Sequence, residues 1–197
     1  MLRKLFAVGM LLTVCSISLI RADEGMWLPH QIAGLNLAKA GLEMNPEDLY
    51  KMDGSGIMSA VVRMGGGTAE FVSEKGLLLT NHHVAYGALQ RASDSEHDYL
   101  QNGYLAETPE QEIIAPGYHA DVLRRYEEVT GRFSEIYREN LQPEERRSRI
   151  DHLKKQLAAE AESQGPDIHA GVVSMYSGNQ YFLFIYKRLQ DIRLVYA

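Results

Sequence analysis

Two adjacent histidines, His82 and His83, stand between an apolar run at 77–79 and a stretch that can wind into a helix. An unperturbed imidazole titrates at about pH 6.5, so it can take a proton from a nucleophile near neutral pH, provided the chain holds it still. Val72 and residues 77–80 are apolar or β-branched, Glu74, Lys75 and Gly76 interrupt them as a hairpin, and Asn81 offers the N-cap chemistry that starts a helix. The histidines therefore fall where a strand becomes a helix, a place to test for a catalytic base. On residue type alone, His83 reads as a hydrogen-bonded structural histidine before it reads as a catalyst. His82 could be the base instead, or both could bind zinc. Adjacent side chains on a strand point oppositely, however, and neither an H-E-x-x-H motif nor a Cys and His cluster supports a metal site. His82 is read as a structural or supporting residue.

The elements around this pair follow from periodicity and breakers. Residues 30–44 carry Ile32, Leu35, Leu37 and Leu42 with interspersed alanines, a pattern closer to helix than strand that Pro46 ends. A turn at 53–56 precedes a β-rich run at 57–64, and Gly65, Gly66 and Gly67 permit a tight bend. Residues 91–111 read as a polar surface loop with a short helix and an Asn102-Gly103 turn, and Pro116-Gly117 marks the next boundary. A strand at 118–125 and a helix at 127–140 follow. Ile150, Leu153 and Leu157 recur at helical spacing between charges in 143–164, an amphipathic helix that Gly165-Pro166 terminates. Strands are expected at 168–174, 181–186 and 192–196.

The pattern G-x-x-x-F-V-x-x-x-G-L-L-L-T-N-x-H-V, from Gly67 to Val84, resembles the histidine segment of chymotrypsin-like serine peptidases. With the doubled histidine followed by Tyr86, Gly87, Leu89 and Gln90, it resembles more narrowly the bacterial serine dipeptidyl peptidases of the seven and eleven type. D-E-G-M-W-L-P-H-Q-I-A-G-L-N-L at 23–37 and a later stretch at 173–195 containing G-N-Q-Y-F are similar to that family too. The resemblance implies a mainly β fold with added helices, the first part of a chymotrypsin-like double β-barrel peptidase domain. It makes His83 the triad base, with no cofactor and no metal. It also implies peptide substrates with a free amino terminus, dipeptides as products, and a homodimer for the full-length protein.

In that family the triad aspartate lies in a G-D-x-D-N-W segment beyond the position of Ala197, and the serine lies much later. The expectation is therefore an amino-terminal fragment, residues 23–197 of an incomplete peptidase domain, without turnover by itself. Ser55 in D-G-S-G and Ser177 in Y-S-G-N read as turn formers; Ser55 also precedes the histidine, whereas the family places its serine after it. Asp94, Asp98 and Asp121 could orient His83, but each has an ordinary loop or strand-edge role. Trp27 is left without a role, since a lone aromatic more often packs than binds.

Composition restricts the remaining options. The 197 residues suit one domain, although a lone first barrel would leave a face uncovered and lower its stability. A net charge of −6 argues against a nucleic-acid partner, because phosphate contacts need clustered Lys and Arg. Residues 1–22 have a basic start at Arg3 and Lys4, an apolar run, and Ala22 before Asp23, as a secretory signal does, so export to the periplasm or cell envelope is expected. A retained anchor is the competing reading, against which the run is short of the ~20 apolar residues a spanning helix needs. The single cysteine, Cys15, lies within this segment, in a sequence that only partly resembles a lipoprotein signal, and its removal leaves no disulfide or redox chemistry. A non-catalytic secreted binding module on a peptidase-like barrel is the alternative from another class, and an endopeptidase is a third.

Overall fold

Short β-rich runs punctuated by glycine turns make the frame, and the periodic helical segments cover one side of it. The computed structural model describes residues 25, 27–51 and 55–197; the expected signal segment, Cys15, Asp23, Asp53 and Gly54 lie outside them. The strands are β1 (Val61–Met64), β2 (Gly67–Phe71), β3 (Leu78–Thr80), β4 (Ile113–Ile114), β5 (Ala120–Glu128), β6 (Ile168–Met175), β7 (Gln180–Leu189) and β8 (Arg193–Leu194). The α-helices are α1 (Pro46–Leu49), α2 (His82–Ala92), α3 (Tyr99–Asn102), α4 (Thr130–Arg138) and α5 (Pro143–Glu162). Six strands form one antiparallel sheet in the order β3-β2-β1-β5-β7-β6, and β4 pairs with β8 in a second, two-stranded sheet. The expected mainly β architecture with added helices is therefore present.

Packing explains why β7 is the most apolar strand. Tyr181, Phe182, Leu183, Phe184 and Ile185 are all buried, because alternate side chains enter different cores. Leu183 and Ile185 meet Ala161 and Ala170 beneath α5, while Tyr181 stacks on Phe133 of α4 at 3.9 Å between ring centroids. On the opposite face, Phe182 and Phe184 enclose Leu28 together with Tyr126. The inward stripe of α5 is the one its sequence period predicts, with Leu157 and Ala161 fully buried.

A line of charge crosses the sheet centre. Arg63 on β1 lies opposite Asp121 on β5, which lies opposite Arg188 on β7. The Asp121 side chain is 1 % exposed and receives Arg63 Nη2 at 2.7 Å, Arg188 Nε at 2.8 Å and Arg188 Nη2 at 3.0 Å. Burial alone would raise the Asp121 carboxyl; hydrogen bonds and charges from Arg188 and Arg63 outweigh it and hold the group at about 2.

Several local expectations are corrected. Residues 30–44 form no continuous helix. A 3₁₀ segment, Pro29–Gly34, is followed by turns, because Tyr126 Oη takes the His30 N–H at 2.9 Å and the Asn36 side chain accepts the Lys39 N–H, competing with helical bonds. The run at 57–64 begins as a 3₁₀ turn, Ile57–Ala60, in which Ser59 Oγ donates to the Gly56 carbonyl at 2.7 Å, so extended structure starts only at Val61. The edge strand β3 spans three residues and leaves Leu79 exposed, beside exposed Leu77 and Val72.

The charge line sets the first prediction. The folded pKa of Asp121 lies below its unfolded value near 4, so its stabilisation is fully present above about pH 4 and is lost as the pH falls toward 2. That contribution is about 2 kcal/mol. Asp121→Asn, which leaves two arginines without their anion, is expected to lower stability by about 3–5 kcal/mol. Denaturant unfolding at pH 7 and pH 3 checks both: the variant's deficit shrinks at the lower pH.

Candidate active site

The segment carrying the histidine pair is fixed from both ends. Its hairpin is closed by the Val72 N–H on the Leu77 carbonyl at 2.9 Å and by the Leu77 N–H on Ser73 Oγ at 3.1 Å, with Gly76 supplying a φ of +85°. Thr80 Oγ1 donates to the Thr68 carbonyl at 2.7 Å, pinning the end of β3 to β2. Asn81 then turns the chain with extended backbone, and its carbonyl accepts the Val84 N–H at 3.0 Å. Contrary to expectation, the Asn81 side chain makes no cap bond, so the helix starts by backbone geometry and packing.

Both histidines belong to the first turn of α2 rather than to the strand end, so their side chains diverge by helical rotation. His82 lies edge-on to Tyr86, one turn along, at 5.8 Å between centroids and 78° between planes. His83 is exposed to solvent and, among the described residues, has no hydrogen-bond or ion-pair partner. Such an imidazole is available to accept a proton from a group brought against it.

The seat beneath the pair is Val84, 6 % exposed, packed with Val62, Met64, Ala69 and Ala120. Gly67 lies directly against it: a Cβ built there would stand 2.6 Å from Val84 Cγ2. The sequence reading assigned Gly67 to a flexible bend. The two residues with positive φ are Gly65 and Gly66, whereas Gly67 is small because Val84 needs the space. From the other side, Tyr118 Oη donates to the Val84 carbonyl at 2.8 Å, and Arg91 covers the Tyr118 ring at 5.5 Å from its centroid. Sequence reasoning missed Tyr118 and Arg91. Their only trace was the pair of glycines, Gly65 and Gly87, that make room for the contact.

The other sequence candidates are occupied elsewhere. Asp94 accepts the backbone N–H groups of Glu96 and His97, Asp98 caps α3 through the Gln101 N–H, and Asp121 is held by its two arginines. Ser55 closes a turn by accepting the Lys51 N–H at its carbonyl, at 2.9 Å. Ser177 has a left-handed φ of +58° in the connection between β6 and β7, on the far side of the sheet from β3. Trp27 is 53 % exposed. A cavity of about 40 Å³ between Pro29, Tyr50, Val61 and Leu123 has room for water rather than a peptide, and no histidine-segment residue lines it. Among the described residues, no group of three His, Cys, Asp or Glu side chains could hold a metal ion, and no helix is long and apolar enough to cross a membrane.

Known proteins resemble this arrangement. The family model described as Peptidase S46 matches residues 22–197. Dipeptidyl-peptidase 7 of Porphyromonas endodontalis is 36% identical over 180 residues, covering 89% of this chain and 22% of the relative. The Asp/Glu-specific dipeptidyl-peptidase of the same organism is 32% identical over 206 residues, covering 99% and 28%. The crystal structure of Porphyromonas endodontalis DPP11 in complex with the dipeptide Arg-Glu superposes with a TM-score of 0.76 at 31% identity, over 89% of this chain and 26% of that one. The chain thus spans about a quarter of the length of the curated relatives it matches.

The packing of the seat sets a second prediction. Gly67→Ala forces its methyl into Val84 and is expected to cost about 1–3 kcal/mol. Adding Val84→Ala vacates the space, so the double variant should be more stable than the sum of the two single losses. Thermal unfolding of the four proteins in a double-mutant cycle measures that coupling.

Proposed function

Because this chain belongs to the peptidase S46 family, we propose that it is the histidine-bearing part of a serine-type dipeptidyl peptidase, with His83 as general base. The observation that carries the reading is the exposed His83, without a hydrogen-bond or ion-pair partner among the described residues, on a helix turn that is clamped on both sides. A base that must exchange protons with substrate and nucleophile has to be open on its reacting side and held on the other.

In the proposed reaction a serine hydroxyl attacks the second peptide bond of a substrate with a free amino terminus. His83 accepts the hydroxyl proton and passes it to the departing amine, and water then releases the dipeptide. A carboxylate orients the imidazole, and backbone N–H groups stabilise the oxyanion. The serine and the carboxylate are assigned to the part of the relatives that this chain does not span. Relatives with two different names, dipeptidyl-peptidase 7 and Asp/Glu-specific dipeptidyl-peptidase, match to a similar degree. The proposed substrate class is therefore what they share, peptides from which dipeptides are removed. Export under direction of residues 1–22, and assembly of the complete protein as a homodimer, belong to the same proposal.

Four measurements test it. The complete polypeptide containing residues 1–197 is expected to release dipeptides from free-amino-terminal peptides, to ignore amino-blocked ones, and to lose at least about a thousandfold in kcat with His83→Ala. Residues 1–197 alone are expected to release none. Cleavage of blocked peptides would favour an endopeptidase, and peptide binding without cleavage by the complete protein would favour a binding module.

A further inference from the structure

We propose that Tyr118 is a positioning residue for His83, holding the first turn of α2 through the backbone carbonyl of the residue that follows the histidine. The inference rests on the reading of His83 as the base and adds to it a group that the sequence pattern around the histidines does not contain.

The phenol reaches across 34 residues of sequence to a single acceptor, with Tyr118 Oη donating to the Val84 carbonyl at 2.8 Å. A helical carbonyl has two lone pairs, so this bond adds to the helix's own hydrogen bonding and does not displace it. The ring has little freedom to leave. A Cβ on Gly65 would stand 3.1 Å from Tyr118 Cε1, and one on Gly87 would stand 3.3 Å from Tyr118 Oη and 3.3 Å from Arg91 Nη1. Arg91, one helical face along from the histidines, lies over the ring and reaches back to the Pro116 carbonyl at 3.4 Å. The Pro116-Gly117 turn, with Gly117 at a φ of +81°, delivers Tyr118 to this place just before β5 begins. Tyr118 thus joins three elements at one point: the β1–β2 turn, α2 and the approach to β5. Its hydroxyl is spent on the peptide unit next to the imidazole.

Val84 and Tyr118 hold different degrees of freedom. The buried Val84 side chain sets how deep the helix sits, whereas the bond to its carbonyl sets how the first turn is rotated about the helix axis, and that rotation aims the His83 ring. Removing the hydroxyl while keeping the ring should leave the depth unchanged and let the rotation relax. A misaligned base costs rate and not binding, because it acts in the transition state.

The experiment uses the complete polypeptide containing residues 1–197 and a free-amino-terminal peptide. Tyr118→Phe is expected to lower kcat roughly ten- to hundredfold with KM within about twofold of the parent, at an unchanged melting midpoint. If Tyr118→Phe instead fails to fold, Gly87→Ala decides, since its methyl crowds the phenol oxygen and Arg91 while deleting no group, and it should lower kcat in the same way. A folded Tyr118→Phe with kcat within twofold of the parent, while His83→Ala is inactive, overturns the inference and leaves the base assignment standing. Full activity of His83→Ala overturns the base assignment, and this inference with it.

Discussion

One buried carboxylate links the two halves of the sheet. Asp121 lies between Arg63 and Arg188, and these three residues belong to neighbouring strands that come from the beginning, middle and end of the described chain. On one side, β1 leads through the meander to the histidine segment; on the other, β7 carries the cores beneath α4 and α5. A carboxylate removed from water is tolerated only when its oxygens are satisfied, and here two guanidinium groups do so with good geometry. The same interaction sets the strand register: a one-residue slip of β5 against either neighbour would separate the charges and invert the faces of the sheet.

From that fixed frame the chain steps outward to the imidazole. The strands β1 and β2 meet at a two-residue turn, Thr80 ties β3 to β2, and Val84 plugs the cluster formed by Val62, Met64, Ala69 and Ala120. Each step is short and made by backbone or β-branched groups with little rotamer freedom. The precision available at His83 is therefore a property of the sheet. The imidazole is exposed, yet its support is among the most buried parts of the molecule.

Much of this was legible in the sequence, and the exceptions share a cause. The helix α5 announced itself because Ile150, Leu153 and Leu157 keep a 3.6-residue period, which is local information. The strand-to-helix junction at 80–82 was equally readable from Leu77, Leu78 and Leu79, although the cap bond expected of Asn81 is absent. Residues 30–44 misled because Tyr126, almost a hundred positions away, takes the His30 N–H and the buried Leu28 fixes where the chain enters the segment. Asp121 looked like an ordinary strand residue because its partners stand 58 and 67 positions distant. Gly67 read as a bend former, since nothing near it in sequence reports that Val84 folds back on it. The histidine stood out by its pattern, while the tyrosine and arginine that hold its helix carry no pattern of their own.

The long sequence separation within the charge line has a kinetic consequence. Closing loops of that size before any contact compensates the lost chain entropy slows folding, and the β1, β5 and β7 pairings all require it. On a ribosome, Arg63 and Asp121 emerge well before Arg188, so the carboxylate has only one of its two cations until the seventh strand is synthesised. The meander bearing the imidazole therefore acquires its final rigidity only when β7 docks, although its own residues are made before that strand.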